Sequence, residues 1–125
     1  MSKIIITKEY EFNLDQESFE YILNTAQLVI HYWSKDSSIE LVDEDSDIIT
    51  FVVVDEDNVK HVILKEHLEK VICDVVSRVS RNNIVNADIY DDIVTCIEDD
   101  DIGAIDATTA DTLIQLSCFG DIIYG

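Results

Sequence analysis

Two acidic clusters flank an apolar run in the segment DEDSDIITFVVVDED, residues 43–57. Three of its carboxylates occupy alternate positions: Asp43, Asp45 and Asp47. Alternate oxygen ligands are typical of calcium loops. Such a loop also needs glycine at its sixth position and a bidentate glutamate at its twelfth, where this chain has Ile48 and Val54. We therefore expect solvated turns here, with no more than weak, adventitious binding of Mg²⁺ or Ca²⁺.

A second acidic segment, EDDDIG at 98–103, could also hold a hard cation. We favour a helix end followed by a solvated turn. The three histidines, His31, His61 and His67, show neither HxxxH nor HExxH spacing, and no cysteine adjoins them. The sequence therefore predicts no dedicated metal site and no cofactor.

Catalytic motifs are missing from the sequence. It has no GxSxG elbow and no phosphate-binding GxxxxGK[ST] loop, and it contains only three glycines. With 27 acids, pairs of neighbouring carboxylates arise by chance, and no apolar pocket can be assigned to any of them. We expect a protein that is not an enzyme.

The cysteines indicate a reducing environment. Cys73, Cys96 and Cys118 are odd in number, widely spaced and set among apolar residues, which favours buried free thiols over disulfides. The N-terminal residues show no signal-peptide pattern, and no apolar run reaches 18 residues. These features predict a cytoplasmic protein that does not enter a membrane.

Hydrophobic periodicity predicts the elements of the first half. KIIITKEYEF, residues 3–12, alternates as a strand does, and residues 15–34 carry helical apolar spacing from Phe19 to Trp33, with Asn13 or Asp15 as N-cap. Three runs rich in Val and Ile follow: SIELVDE, DIITFVVV and VKHVILK. They predict a three-stranded meander whose turns contain the two acidic clusters.

Three further helices are predicted in the second half. One follows Lys65 and stops near RNN at 81–83, and another spans about 86–99. The last has Thr108 as N-cap with Asp111 at the capping-box position, ends at Gly120 and precedes a DIIYG tail that packs down. The elements together predict one α+β domain over 1–125, with about four helices on one face of a small, largely antiparallel sheet of about four strands.

The charge of the chain is strongly negative and unevenly distributed. It has 27 acids and 8 bases, a net charge of -19, and residues 82–125 contain ten acids and no lysine or arginine. Such a field repels nucleic acid and membrane phosphates and attracts basic protein surfaces. We therefore expect a protein partner with a basic surface, no direct nucleic acid and no membrane. Halophilic or solubility-driven acidity is the alternative.

The helix predicted at 86–99 sorts its residues by face. Ile89, Ile93, Cys96 and Ile97 face the core, and the opposite side is acidic. Carboxylates three and four positions apart stand about 5 to 6 Å from one another, which is of the same order as the spacing of backbone phosphates. The candidate binding residues are Asp88, Asp91, Asp92, Glu98, Asp99, Asp100 and Asp101, with a second group of Asp43, Glu44, Asp45, Asp55, Glu56 and Asp57. The alternative is a solvated face without a partner.

The C-terminal segment DATTADTLIQLSCFGDIIYG, together with HYWS and VKHVILKEHLEKVI, resembles small proteins encoded by bacteriophages and mobile elements. Those proteins share a Thr-Ala-Asp, Gln and Phe-Gly pattern near a terminal Tyr-Gly. The resemblance implies an origin and no catalytic residues. The charge is similar, by analogy alone, to that of phage DNA mimics and anti-defence inhibitors.

These observations predict an acidic phage or mobile-element inhibitor, located in the host cytoplasm, that binds a basic nucleic-acid-binding surface of a host defence enzyme such as a nuclease. Two alternatives stay open. One is an immunity-type protein that neutralises a basic toxin through a packed contact. The other is a self-assembling phage protein, a homo-oligomer that uses the C-terminal tail and Trp33 as subunit contacts.

Overall fold

Four α-helices and three strands make up the part of the chain that the computed structural model describes, residues 12–77 and 87–124. In chain order they are α1 (Gln16–Gln27), β1 (Ser34–Leu41), β2 (Ile49–Asp55), β3 (Lys60–Ile63), α2 (Lys65–Ser77), α3 (Ala87–Glu98) and α4 (Ala107–Phe119). The predicted α+β class is confirmed, and the described sheet has three strands where about four were expected. The strand predicted from KIIITKEYEF, apart from Phe12, and the RNN stop lie outside the described residues.

Helix α1 begins after Asp15, one of its two predicted caps, whose carboxylate accepts a first-turn backbone N–H at 2.7 Å. The helix ends at Gln27, so the prediction of a helix to residue 34 was wrong. A 3₁₀ turn follows and buries both Ile30 and Trp33. Because a 3₁₀ turn also brings residues three apart onto one side, it reproduces the apolar spacing that the sequence pattern assigned to a longer helix.

The three strands form an antiparallel meander in the order β1, β2, β3, as predicted. Ile39, Phe51 and Ile63 lie side by side in register and pack into the core with the helices. Strand β1 begins already at Ser34, earlier than the apolar run that predicted it. Backbone pairing with β2 holds this polar first part of β1, and side-chain periodicity does not report such pairing.

Helix α4 lies at the centre, in contact with α1, α2, α3 and β3. Its buried residues are Thr109, Ala110, Thr112, Leu113, Ile114, Gln115 and Leu116. The N-cap is Asp106, which accepts the backbone N–H of Thr109 at 2.8 Å, so the prediction of Thr108 was wrong. Both residues suit the position by type, and aspartate is the stronger cap. Gly120 ends the helix in the left-handed conformation, φ 71°, as predicted.

Helices α2 and α3 begin close to where they were predicted. Helix α2 begins at Lys65, and α3 keeps within one residue of the predicted bounds at each end. On α3, Ile89, Ile93 and Cys96 are buried as predicted. Across residues 12–77 and 87–124, no helix combines the length and the apolar character that crossing a membrane requires.

Candidate protein-binding surface

The outward side of α3 carries acids in its first two turns and again at its C-terminal end. Asp88, Asp91 and Glu98 are exposed, and Asp92 is half-buried. We call the seven carboxylates of residues 88–101 the α3 acidic surface: Asp88, Asp91, Asp92, Glu98, Asp99, Asp100 and Asp101. Thr95 is also exposed, lies among these carboxylates and carries no charge. The amphipathic period of α3 produces the surface, because the buried residues of the helix, Ile89, Ile93 and Cys96, are all apolar.

A turn after α3 extends the acidic surface beyond the helix end. Asp99, Asp100 and Asp101 are all exposed. Asp100 adopts a positive φ of 49°, which aspartate tolerates better than most residues. The Asp101 carboxylate accepts the N–H of Gly103 at 3.1 Å and begins the 3₁₀ turn Ile102–Ala104. These acids lie at the C-terminal end of α3, where negative charge opposes the helix dipole at about 0.3 to 1 kcal/mol each.

Thr109 ties the acidic surface to α4. Its hydroxyl donates to Asp92 at 3.0 Å, and its backbone N–H donates to Asp106, the N-cap of α4. Asp106 is therefore a further exposed acid beside the α3 acidic surface. Asp106 was not among the acids predicted from the sequence, although an aspartate just before a helical pattern is a typical N-cap signal.

The six acids of the two hairpin turns do not form one cluster. Asp43, Glu44 and Asp45 precede β2, while Glu56 and Asp57 follow it. The two turns of a meander lie at opposite ends of the shared strand, which here are about 20 Å apart at about 3.3 Å per residue. The hairpin acids therefore add negative charge at two separate places.

Two of the hairpin aspartates stabilise the turns themselves. Asp43 accepts the backbone N–H of Asp45 at 2.9 Å. Asp55 is buried, accepts the backbone N–H groups of Asp57 and Val59, and contacts His61 Nε2 at 2.8 Å. The hydrogen bond from His61, with those from the backbone, lowers the pKa of Asp55. These bonds are typical of aspartate in turns.

No metal centre appears in either acidic segment. Among residues 12–77 and 87–124, no three His, Cys, Asp or Glu side chains are arranged to hold a metal ion. The calcium-like spacing at residues 43–47 thus serves a turn in this structure.

A carboxylate, a histidine and a serine come near one another around Asp55, His61 and Ser117, which invites comparison with a hydrolase triad. The Ser117 hydroxyl donates to the carbonyl of Leu113 at 2.9 Å, one helical turn earlier. No hydrogen bond joins Ser117 to His61, both of which the structure describes. The arrangement therefore lacks the contact between nucleophile and base that such chemistry needs.

The charges of the described residues are partitioned by element. All four described lysines lie in β1, β3 and α2, and neither lysine nor arginine occurs in α1, α3 or α4. Residues 87–124 contain ten acids and no base. Helix α3, the turn after it and α4 therefore contribute acids and no lysine or arginine to the surface.

The residues of the C-terminal pattern meet the HYWS segment in a network that we call the C-terminal clasp: Tyr32, Trp33, Asp111, Gln115, Phe119 and Tyr124. The Asp111 carboxylate accepts the indole N–H of Trp33 at 2.8 Å and the hydroxyl of Tyr32 at 2.7 Å. Partial burial, together with this hydrogen bond, raises the pKa of Tyr32 to about 12.

Gln115 joins the tail to α4 and is almost fully buried, at 1% exposure. Its Oε1 accepts the backbone N–H groups of Ile123 and Tyr124 at 3.0 and 2.8 Å, and its Nε2 donates to the Tyr124 carbonyl and to Asp111. Trp33 stacks on Tyr124, with ring centroids 5.6 Å apart. The Thr-Ala-Asp, Gln and Phe-Gly pattern of the C-terminal segment thus has a structural role in this chain.

Comparisons with known proteins found no relative of the chain. No protein family, no curated protein and no solved structure matches the chain. The function must therefore be inferred from the surfaces of the molecule.

The three cysteines are expected to react slowly in the folded protein. Burial raises the pKa of Cys96 to about 11 and that of Cys118 to about 12, and it also raises the pKa of Cys73. Because the thiolate is the reactive form, alkylation of Cys96 and Cys118 at pH 8 should be about 100-fold slower or more in the native than in the denatured chain. Mass spectrometry of an iodoacetamide time course measures this, and equal native and denatured rates would contradict it.

Proposed function

We propose that the chain binds a cationic protein surface through the α3 acidic surface and occupies it in place of nucleic acid. The observation that carries this proposal is the set of ten acids without a base in residues 87–124. Solubility of a small domain needs a net charge of only about 2 to 8. The chain carries -19, and the excess costs stability through self-repulsion.

The spacing of the carboxylates supports competition with nucleic acid. On α3, Asp91 and Asp92 follow Asp88 by three and four residues, so these side chains stand about 5 to 6 Å apart, and Glu98 lies two turns beyond Asp91, about 10 Å further along the helix. A cationic groove that holds DNA is built for a linear array of charges, about one per 1.7 Å of duplex axis. A helix edge such as Asp88, Asp91 and Glu98, continued by the turn at 99–101, supplies a shorter array of the same sign.

A host defence enzyme is the partner that we propose. The resemblance of the C-terminal pattern implies an origin in a phage or mobile element, and the negative charge is similar to that of anti-defence inhibitors, so we propose an inhibitor of a host defence enzyme, such as a nuclease. A toxin-neutralising protein of the immunity type is the second candidate. It would bind through a packed contact that salt affects little.

Salt concentration and added DNA distinguish binding in place of nucleic acid from binding through a packed contact. Tagged protein is incubated with host lysate at about 50 mM and about 200 mM salt, and the retained proteins are identified. The proposal predicts a nuclease or other nucleic-acid-binding protein whose affinity falls by about tenfold or more between these conditions and which added DNA displaces. A partner retained equally at both salt concentrations and unaffected by DNA would contradict the proposed mode.

A further inference from the structure

A groove of about 520 Å³ lies on a different part of the molecule from the α3 acidic surface. Strand β3 forms one wall, and α2 forms the other through His67, Lys70 and Asp74, with Ser117 of α4 between them. The volume falls within the range of about 300 to 1,000 Å³ that is typical of ligand-binding clefts. The groove is therefore large enough to take a ligand or a segment of chain.

Two unpaired ammonium groups line this groove. Lys60 and Lys70 are both exposed, and neither ammonium group forms a hydrogen bond or an ion pair with any residue in 12–77 or 87–124. In a chain with 27 acids and 8 bases, ammonium groups without partners stand out. The nearby carboxylates are Asp74 and Glu66, one helical turn from Lys70 on α2, and Asp55, which is bonded to His61.

The two histidines of the groove have fixed orientations. His67 Nδ1 accepts the backbone N–H of Leu64 at 3.3 Å, so its neutral ring carries the proton on Nε2, which is a donor. His61 is held by Asp55 through Nε2 and packs edge-on against Phe119, with ring centroids 5.0 Å apart. Of the two rings, His67 therefore offers an N–H donor to the groove, beside the two ammonium groups, and Asp74 is the carboxylate that lines it.

One wall of the groove is the edge of the described sheet. Within residues 12–77 and 87–124, β3 pairs with β2 alone, through Lys60 to Ile63. The outer side of such a strand can pair with an extended peptide, and side chains at alternate positions of the peptide then point the same way. A peptide added to β3 would run along the groove between the two lysines.

We propose that this groove binds an extended acidic peptide of a partner protein, which adds to the outer edge of β3 and places its carboxylates beside Lys60 and Lys70. Local charge complementarity selects the peptide, because the two unpaired ammonium groups can pair with its carboxylates. The inference does not depend on the function proposed for the α3 acidic surface, since the two sites share no residue.

The probe for this proposal is a capped peptide with alternating Glu and Val, compared with the same peptide carrying Lys in place of Glu. Amide chemical shifts of the ¹⁵N-labelled full chain are followed during titration. We expect the acidic peptide to shift the amides of β3 and of the α2 wall. The double variant Lys60→Gln, Lys70→Gln should weaken binding about tenfold, since it removes two charge pairs. Lys35→Gln, an exposed lysine on β1 outside the groove, is the matched control and should not change it.

Peptide N-methylated at alternate residues tests the strand pairing, and it should bind about tenfold more weakly or not at all. Equal binding of the Lys peptide, or full binding by the double variant, would overturn the proposal. Inorganic phosphate that shifts the same amides with equal affinity would show a small-anion site instead. Shifts of these amides that grow with protein concentration alone would show a second copy of the chain in the groove. Either result would overturn the proposal that the groove binds a peptide of a partner protein.

Discussion

Replacing four carboxylates of the α3 acidic surface by amides should weaken binding to the cationic partner about a hundredfold, because an exposed ion pair contributes about 0.2 to 1 kcal/mol and four add to about 2.7 kcal/mol. The substitutions are Asp88→Asn, Asp91→Asn, Asp99→Asn and Asp100→Asn. Asp92 and Asp101 are retained, since the first accepts a hydrogen bond from Thr109 and the second caps the turn at Gly103. Titration calorimetry at low salt measures the loss.

A matched control removes the same four charges from the hairpin turns: Glu44→Gln, Asp45→Asn, Asp47→Asn and Glu56→Gln. All four side chains are exposed, and the two turns lie at opposite ends of β2. We expect this variant to bind with less than about threefold loss, which reflects only the smaller net charge. Equal losses in both variants would show that total charge, and not the α3 acidic surface, governs binding.

The same α3 variant should be about as stable as the parent chain. Asp99→Asn and Asp100→Asn remove charges that each cost about 0.3 to 1 kcal/mol after the C-terminal end of α3, and Asp88→Asn removes a favourable charge of similar size from its first turn. An unchanged free energy of unfolding together with a loss of binding would separate function from folding. If the variant lost much of its stability, unfolding alone would explain the loss of binding. Denaturant unfolding of both variants is therefore measured alongside the calorimetry.

Gln115→Ala should lower the free energy of unfolding by about 3 kcal/mol, the largest effect expected from a single substitution in the C-terminal clasp. It leaves the backbone N–H groups of Ile123 and Tyr124 without their acceptor and removes the donor that Asp111 and the Tyr124 carbonyl share. For a chain of this size, the melting temperature should fall by about 12 °C. Thermal and denaturant unfolding measure the change.

Gln27→Ala is the matched control for this substitution. Gln27 is half-buried and its amide donates to Ser37 with bonds of 3.3 and 3.4 Å. Long, partly solvated bonds of this kind contribute little, so we expect a loss below about 1 kcal/mol. Similar losses from both substitutions would show that the network around Gln115 does not hold the C-terminal segment on α4.

Local periodicity was sufficient to predict α3 and its two faces. Ile89, Ile93 and Cys96 repeat at helical spacing and are buried, and the acids between them are outward. The end of α1 could not be predicted in this way, because Ile30 and Trp33 keep the same spacing in a 3₁₀ turn. Apolar periodicity shows which side chains face the core. It does not distinguish an α-helix from a 3₁₀ turn.

Contacts between distant segments explain what the sequence did not reveal. Trp33 and Asp111 are 78 residues apart and share a hydrogen bond, so the role of the C-terminal pattern was visible only in the fold. Lys60 and Lys70 lie on opposite walls of a groove, because α2 folds back along β3. The separation of the hairpin acids, in contrast, follows from any meander and was available from the predicted topology.

Site-specific photocrosslinking from Thr95 tests the central claim most directly. Thr95 is exposed within the α3 acidic surface, and a photoreactive residue there changes no charge. The same residue placed at Ser38 on β1 is the control. We predict crosslinks from position 95 to peptides of a nucleic-acid-binding channel, which added DNA abolishes, and none to that channel from position 38. Crosslinks from position 95 that fall on an uncharged surface, or that persist unchanged with DNA, would contradict the account.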